Sequence, residues 1–250
     1  MHQCLLPPNI IQPLMPKYHT DCSTPHTPSR IGYGFPRSVS ALDDHRRCSP
    51  SPRLRRYPPN EYIAVGALHV FVGPARIHGV IRQVPMVARV SLASYYGEKL
   101  LDTFVRPTHT IFDYRASTTN LTPANLYNAP SFQEVQQEVA AIIRNKVVVG
   151  HKLWMFLSIM GLSHPALRTR DLALFLPLRR KLKSRRVVEL EILVRVYMGR
   201  NLGIVFEDPL ENARASMDLF RSCQDLFEGL VAEGCWPCNL PPSQFAQYFT

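Results

Sequence analysis

Between Cys48 and Cys223 the chain has no cysteine, and its six cysteines (Cys4, Cys22, Cys48, Cys223, Cys235 and Cys238) lie towards the two ends. A disulfide-stapled secreted domain places its bridges inside the fold, so this usage suits a reducing compartment. Cys235-Trp-Pro-Cys238 has the CxxC form, but no second CxxC and no His pair completes a zinc site. Nothing approaches the ~18 consecutive apolar residues of a membrane span, so no membrane partner is expected. Prolines interrupt the apolar opening MHQCLLPPNIIQPL, so a signal peptide is not expected there. Acids are scarce as well. Nineteen Asp and Glu face 29 Lys and Arg, giving a formal charge of +10 and an isoelectric point near 9.6. Such an excess favours a polyanionic partner, nucleic acid before an anionic membrane surface.

What is present divides unevenly. Half of the 22 prolines fall in residues 1–60, with eight Lys and Arg against three Asp. That composition cannot bury enough apolar surface to offset its ordering entropy, so residues 1–60 read as a disordered basic arm. Within it DHRRCSPSPRLRR, Asp44 to Arg56, has the character of a nuclear-import signal, an RNA-clinging tail or a solvated linker. From Tyr62 the texture changes. YIAVGALHVFV, residues 62–72, is an apolar run of strand length rich in Val. Met86–Ala93 and Lys99–Val105 follow across the turn-like Tyr95-Tyr96-Gly97-Glu98, and the three read as an antiparallel meander.

Helical signals come next. Thr122-Pro123 places a capping residue before proline, and Ser131-x-x-Glu134 is a capping box ahead of Phe132, Val135, Val139 and Ile142 at helical spacing. A short strand is expected at Lys146–Gly150, a helix at Leu153–Met160 and a strand at Thr169–Ala173. Helices are expected at Val188–Met198 and Glu211–Ala232. This order describes an α/β domain over 61–232, with 233–250 as a C-terminal tail.

A series of ordered phrases narrows the reading. Ala88–Ser94 (ARVSLAS) precedes Tyr96–Pro107 (YGEKLLDTFVRP), then Asp113-Tyr114-Arg115, Leu121-Thr122-Pro123 and Asn128–Phe132 (NAPSF). Val149-Gly150-His151, Ser163-His164-Pro165, Arg170-Asp171, Pro177-Leu178-Arg179 and Glu211–Ala215 (ENARA) complete it. Taken in order, these resemble the RNA exonuclease 4-like family of DEDDh 3′-to-5′ exonucleases. The resemblance implies a ribonuclease H-like mixed sheet flanked by helices. In active relatives two magnesium ions about 4 Å apart clamp the attacking and leaving oxygens. Hard cations of this kind need carboxylate oxygen. The family pattern supplies an Asp-x-Glu pair on the first strand, an Asp on the helix after Gly-His and an Asp in the last helix. A His five residues before that last Asp is the general base.

Aligned backwards from Phe71-Val72-Gly73, the strand pair falls on Leu68 and Val70. The third carboxylate position falls on Phe156, the fourth on Asn212 and the base on Glu207. All five roles are altered, which implies a degenerate site that holds no metal and needs no cofactor. Asp102, Asp113, Asp171, Glu207, Asp208 and Glu211 are the acids from which a relocated site would have to be built. His69 should point to the strand face opposite Leu68 and Val70, while His151 and His164 are expected to pack or hydrogen-bond. Arg179, Arg180, Lys181, Lys183, Arg185 and Arg186 form a basic segment where the family also has a basic loop. It is a candidate RNA-backbone contact or a merely solvated loop. Trp154 and Phe156 are either stacking faces for a base or ordinary core. The expectation is an exonuclease-fold protein that binds RNA or a protein partner without cutting, resident in the nucleus or nucleolus. An active 3′-to-5′ RNA exonuclease serving ribosome maturation is the alternative.

Overall fold

The computed structural model describes residues 57–77 and 80–250. The expected basic arm lies outside these residues except for its last four. In chain order the elements are β1 (Tyr62–Ile77), β2 (Val80–Ser94), β3 (Lys99–Phe104), β4 (Ile111–Asp113), α1 (Ala116–Thr119), α2 (Pro123–Tyr127) and α3 (Phe132–Ile143). Then follow β5 (Val147–Gly150), α4 (Leu153–Met160), β6 (Thr169–Asp171), α5 (Leu176–Lys181), α6 (Leu190–Met198), α7 (Pro209–Ser222) and α8 (Gln224–Ala232). The sheet runs β3-β2-β1-β5-β6, with β4 also pairing to β1. Strands β1, β2 and β3 form the antiparallel meander, whereas β5 joins β1, and β6 joins β5, in parallel. The mixed α/β sheet expected from the sequence is therefore present.

Alternation along β1 sorts its side chains between two layers. Tyr62 and Ala64 face a core containing Leu193, Phe220 and Phe227 of α6, α7 and α8. Ile63 and Val65 face the other, with Val135 and Val139 of α3 and Leu157 of α4. Helix α3 starts where its capping box predicts: the Ser131 amide donates to Glu134 Oε2 at 2.8 Å and the Glu134 amide to Ser131 Oγ at 3.3 Å. A buried ion pair ties the layers together. Arg170 on β6 donates through Nε and Nη2 to the Glu228 carboxylate, both at 2.8 Å, and the Tyr62 hydroxyl donates to the same group at 3.0 Å.

Three expectations need correction. The single helix drawn over Glu211–Ala232 is two helices broken at Cys223, whose φ of −128° leaves the helical region. Residues 179–181, weighed as the start of a basic loop, belong instead to α5 (Leu176–Lys181), which has proline in its first turn. The tail from 233 onward is not separate from the domain. Trp236 and Phe245 are buried in the α7 and α8 core, the His164 amide donates to Tyr248 O, and the Ala166 amide donates to Thr250 O. Two large aromatic side chains give this short segment enough apolar area to dock.

Candidate functional site

Leu68 and Val70 lie on one face of β1, buried with Val72, Val84, Ala88, Leu121 and Leu126. Phe156 is buried in a different cluster, against Ile63, Val65, Val87 and Val90. These three expected metal positions therefore sit in two separate apolar clusters. None offers an oxygen to a hard cation. Asn212 lies in the first turns of α7, half-buried, its amide donating to Asp208 O at 3.0 Å.

The contact between strand and last helix is made by a residue the sequence reading passed over. At Gly66 the backbone of β1 meets the first turn of α7 so closely that a Cβ there would lie 2.2 Å from the Pro209 carbonyl oxygen. Gly66, Leu68 and Val70 share a strand face. Reading the i, i+2 pair as 66/68 rather than 68/70 brings it closer to α7, and neither register supplies a carboxylate. A glycine inside a Val-rich strand is the sequence signal for close backbone approach, and it was available at Gly66.

Every acid proposed as a substitute ligand already has an internal partner. The Arg89 guanidinium donates to both Asp102 oxygens at 3.0 and 2.9 Å and to Asp208 Oδ2 at 3.0 Å. Burial alone would raise the Asp102 carboxyl, but hydrogen bonds from Arg89 and Ser91 outweigh it and hold the group below its ordinary value. Asp208 Oδ1 caps α7 by accepting from the Leu210 and Glu211 amides, both at 2.9 Å. Glu207 is paired to Arg115 at 3.0 Å, Glu211 accepts from the Gly203 amide at 3.1 Å, and Asp113 accepts from the Arg115 amide at 2.7 Å. Asp171 is fully buried and accepts from the amides of Lys152, Leu153 and Ala173 at 3.0, 2.7 and 2.9 Å. Burial pushes its carboxyl up to about 7 against the pull of those donors. Its work is to fold the turn between β5 and α4, where Lys152 adopts φ 56°. Among the described residues no group of three His, Cys, Asp or Glu side chains could hold a metal ion. The donor set present thus does not fit the two magnesium ions that the resemblance implies.

Around Glu207 and Asp208 lies a cavity of about 430 Å³, lined also by Arg89, Asn120, Glu211 and the loop Ile204-Val205-Phe206. The three histidines play the parts expected of packed imidazoles. His69 is half-buried within 3.5 Å of Arg115, and burial followed by that guanidinium lowers it to about 4. His151 Nε2 lies 2.7 Å from Val188 O, and burial lowers it to about 4. His164 Nε2 lies 2.9 Å from Lys146 O.

The basic segment is exposed apart from its first residue. Arg179 is 5% accessible in α5 with its Nε unpartnered, so the helix turns it inward and removes it from the RNA-contact set. Arg180, Lys181, Lys183, Arg185 and Arg186 are exposed. No acid occurs between Leu172 and Val188, and Arg180, Lys183, Arg185 and Arg186 make no ion pair with a described residue. Trp154 and Phe156 are 5% and 6% accessible, which removes them as stacking faces.

Comparison with known proteins agrees with this picture of the fold. The exonuclease family model RNase_T matches residues 78–164, so the match begins beyond β1. RNA exonuclease 4 of Mycosarcoma maydis is 37% identical over 166 residues, 66% of this chain and 42% of that protein. RNA exonuclease 4 of Candida glabrata is 32% identical over 168 residues, 67% of this chain and 62% of that protein. The chain thus spans about two-fifths to three-fifths of these relatives' length. Among solved structures, the Neurospora crassa Pan2 catalytic unit (protease and nuclease domain) superposes with a TM-score of 0.54 at 18% identity, covering 80% of this chain and 32% of that one. The Saccharomyces cerevisiae Pan2 pseudoubiquitin hydrolase-RNA exonuclease module in complex with AAUUAA RNA gives 0.55 at 22% identity, covering 71% and 31%. These likenesses show the ribonuclease H-like fold. With its ordered phrases, its mixed sheet and these relatives, the chain belongs to the RNA exonuclease 4-like family.

Proposed function

We propose that this protein is a catalytically degenerate member of its family that binds RNA through its basic segment and does not cut it. One observation carries the reading. The positions expected to hold four metal carboxylates carry Leu68, Val70, Phe156 and Asn212, three of them buried in apolar clusters, while the surviving acids nearby are engaged by Arg89, Arg115 and backbone amides. A carboxylate already paired with a guanidinium is a poor ligand, because the cation would have to displace that partner and desolvate the site as well.

RNA is favoured as the partner by the net charge of +10 and by the exposed Arg180, Lys183, Arg185 and Arg186, which make no ion pair with a described residue. No helix of the described residues is long and apolar enough to cross a membrane. Nuclear or nucleolar residence belongs to the same proposal and rests on the family and on the basic Asp44–Arg56 run. Family membership keeps the active 3′-to-5′ exonuclease as the second reading. A module that binds only protein is a third.

The test is magnesium and manganese calorimetry beside incubation with a labelled single-stranded RNA. Expected are no saturable metal binding, no trimming, and salt-sensitive RNA retention that weakens on charge reversal in 180–186. Magnesium-dependent shortening from the 3′ end, abolished by Glu211→Gln or Asp171→Asn, would overturn the degenerate reading. RNA retention indifferent to charge reversal and to salt would leave the protein-binding module standing instead.

A further inference from the structure

The segment that follows β6 combines strong positive charge with the absence of an exposed aromatic ring among its own residues 172–188. Its five exposed cations lie within seven residues, at the C-terminal end of α5 and in the bends before α6. Lys183 is held at φ 52°, and the Lys183 and Ser184 amides donate back to Arg180 O and Arg179 O at 3.0 and 3.1 Å. The helix end thereby presents its cations from a fixed turn. The aromatic rings associated with this region are closed off. Phe175, which precedes α5, is fully buried and stacked on Phe227, with ring centroids 4.2 Å apart and planes 10° from parallel. Trp236 is 4% accessible and packs on the same Phe227. Tyr197 of α6 donates its hydroxyl to Leu178 O at 2.7 Å, and its ring is capped by Lys181 Nζ at 5.1 Å. The exposed aromatics of the domain lie on other elements: Tyr96 in the β2–β3 turn, Phe112 on β4, Tyr127 at the end of α2 and Phe206 before α7.

Recognition of single strands rests on aromatic platforms in a charged groove, since each unpaired base offers a π-face. A surface of cations without such a platform engages chiefly the phosphates. A duplex carries twice the charge per unit length of a single strand, at about one negative charge per 1.7 Å of axis. It is also already rigid, so it loses less conformational freedom when it docks. From these observations, and resting on the RNA-binding reading above, we infer that residues 180–186 form a backbone-reading surface whose preferred ligand is double-stranded RNA, recognised without regard to base sequence. The inference departs from the single-strand 3′ end that an exonuclease active site would take. It assigns the binding energy to a surface made of other residues than those lining the cavity around Glu207 and Asp208.

The experiment uses the full chain and fluorescence anisotropy with a labelled 16-base-pair RNA duplex, each of its separated strands, and a second duplex of scrambled sequence. Titrations run at several salt concentrations with wild type and with R180E/K183E/R185E/R186E. Matching far-UV dichroism and thermal midpoints establish that the substituted chain is folded. Expected is duplex binding at least about five-fold tighter than either strand, equal for the two duplex sequences. The logarithm of the affinity should fall with the logarithm of salt by about 0.9 for each cation in contact. In the variant the preference should vanish and the slope should flatten. Single strands bound as well as the duplex, or a duplex preference that survives in the variant, would overturn this inference while leaving RNA binding in place. Failure of the wild type to bind either form would remove the RNA-binding reading itself.

Discussion

The acid cluster around Arg89 and the start of α7 and the segment from α5 to α6 are both rich in charge, yet they handle it in opposite ways. In the cluster each acid has a partner: Arg89 holds Asp102 and Asp208, Arg115 holds Glu207, and the Gly203 amide holds Glu211. Along 180–186 Arg180, Lys183, Arg185 and Arg186 face solvent and make no ion pair with a described residue. The first region is electrostatically closed and the second open. A formal charge of +10 is therefore a poor guide to where a polyanion binds, because what attracts a phosphate is the unpaired part of the charge.

The contrast can be pushed hardest where charges are both paired and buried. Arg170 and Glu228 have side chains 0% and 2% accessible, and removing one leaves the other unpaired inside the protein. Glu228→Ala should lower unfolding stability by about 3–5 kcal/mol, read from the denaturant midpoint. A loss below about 1 kcal/mol would mean that water reaches Arg170 and that this closed network is leakier than its geometry.

Next in size is the close approach of β1 to α7. Gly66→Ala drives a methyl into the Pro209 carbonyl and should cost about 2–3 kcal/mol. Gly73→Ala, where the nearest atom to a Cβ is 3.8 Å away, serves as its control and should stay within about 0.5 kcal/mol. Equal effects at the two glycines would show that α7 is not seated on β1 as described.

A smaller effect is expected from removing the guanidinium at the centre of the acid cluster. Arg89→Met leaves Asp102 and Asp208 unpaired, but these groups are partly solvated, so the loss should be about 1 kcal/mol at neutral pH. Asp102 is held below its unfolded value, so its contribution is fully present above about pH 4 and disappears as pH falls through the folded value. Wild type and Arg89→Met should therefore converge in stability under acid. Parallel pH profiles would show that Arg89 acts through packing alone. The smallest effect belongs to the open region: Arg185→Ala with Arg186→Ala should shift the midpoint by less than about 0.5 kcal/mol while flattening the salt dependence of RNA binding.

Much of the fold could be read before any coordinates. The meander, the Ser131 capping box, the apolar α4 and the short strand at Val147–Gly150 each have a local cause in periodicity or capping, and each lies where that cause places it. Elements fixed from elsewhere were harder. The break at Cys223 interrupts an unbroken apolar stripe, so periodicity gave no sign of it. The docking of residues 233–250 rests on Trp236 and Phe245 finding cavities made by distant helices. In the basic segment the charges were legible, but not that α5 turns Arg179 inward while leaving its neighbours in water.

The sequence by itself determined which residue types stand at the expected metal positions, and no folding can give Leu68, Val70 or Phe156 a carboxylate. It also determined the family, through phrases whose order survives where single residues have changed. Tertiary structure alone decided which residue of β1 meets α7, since Gly66 is distinguished by the approach of Pro209, 143 residues away in the chain. It alone decided which charges are free. Pairing depends on distances of about 3 Å between groups remote in sequence, and those distances exist only once the sheet and helices are assembled.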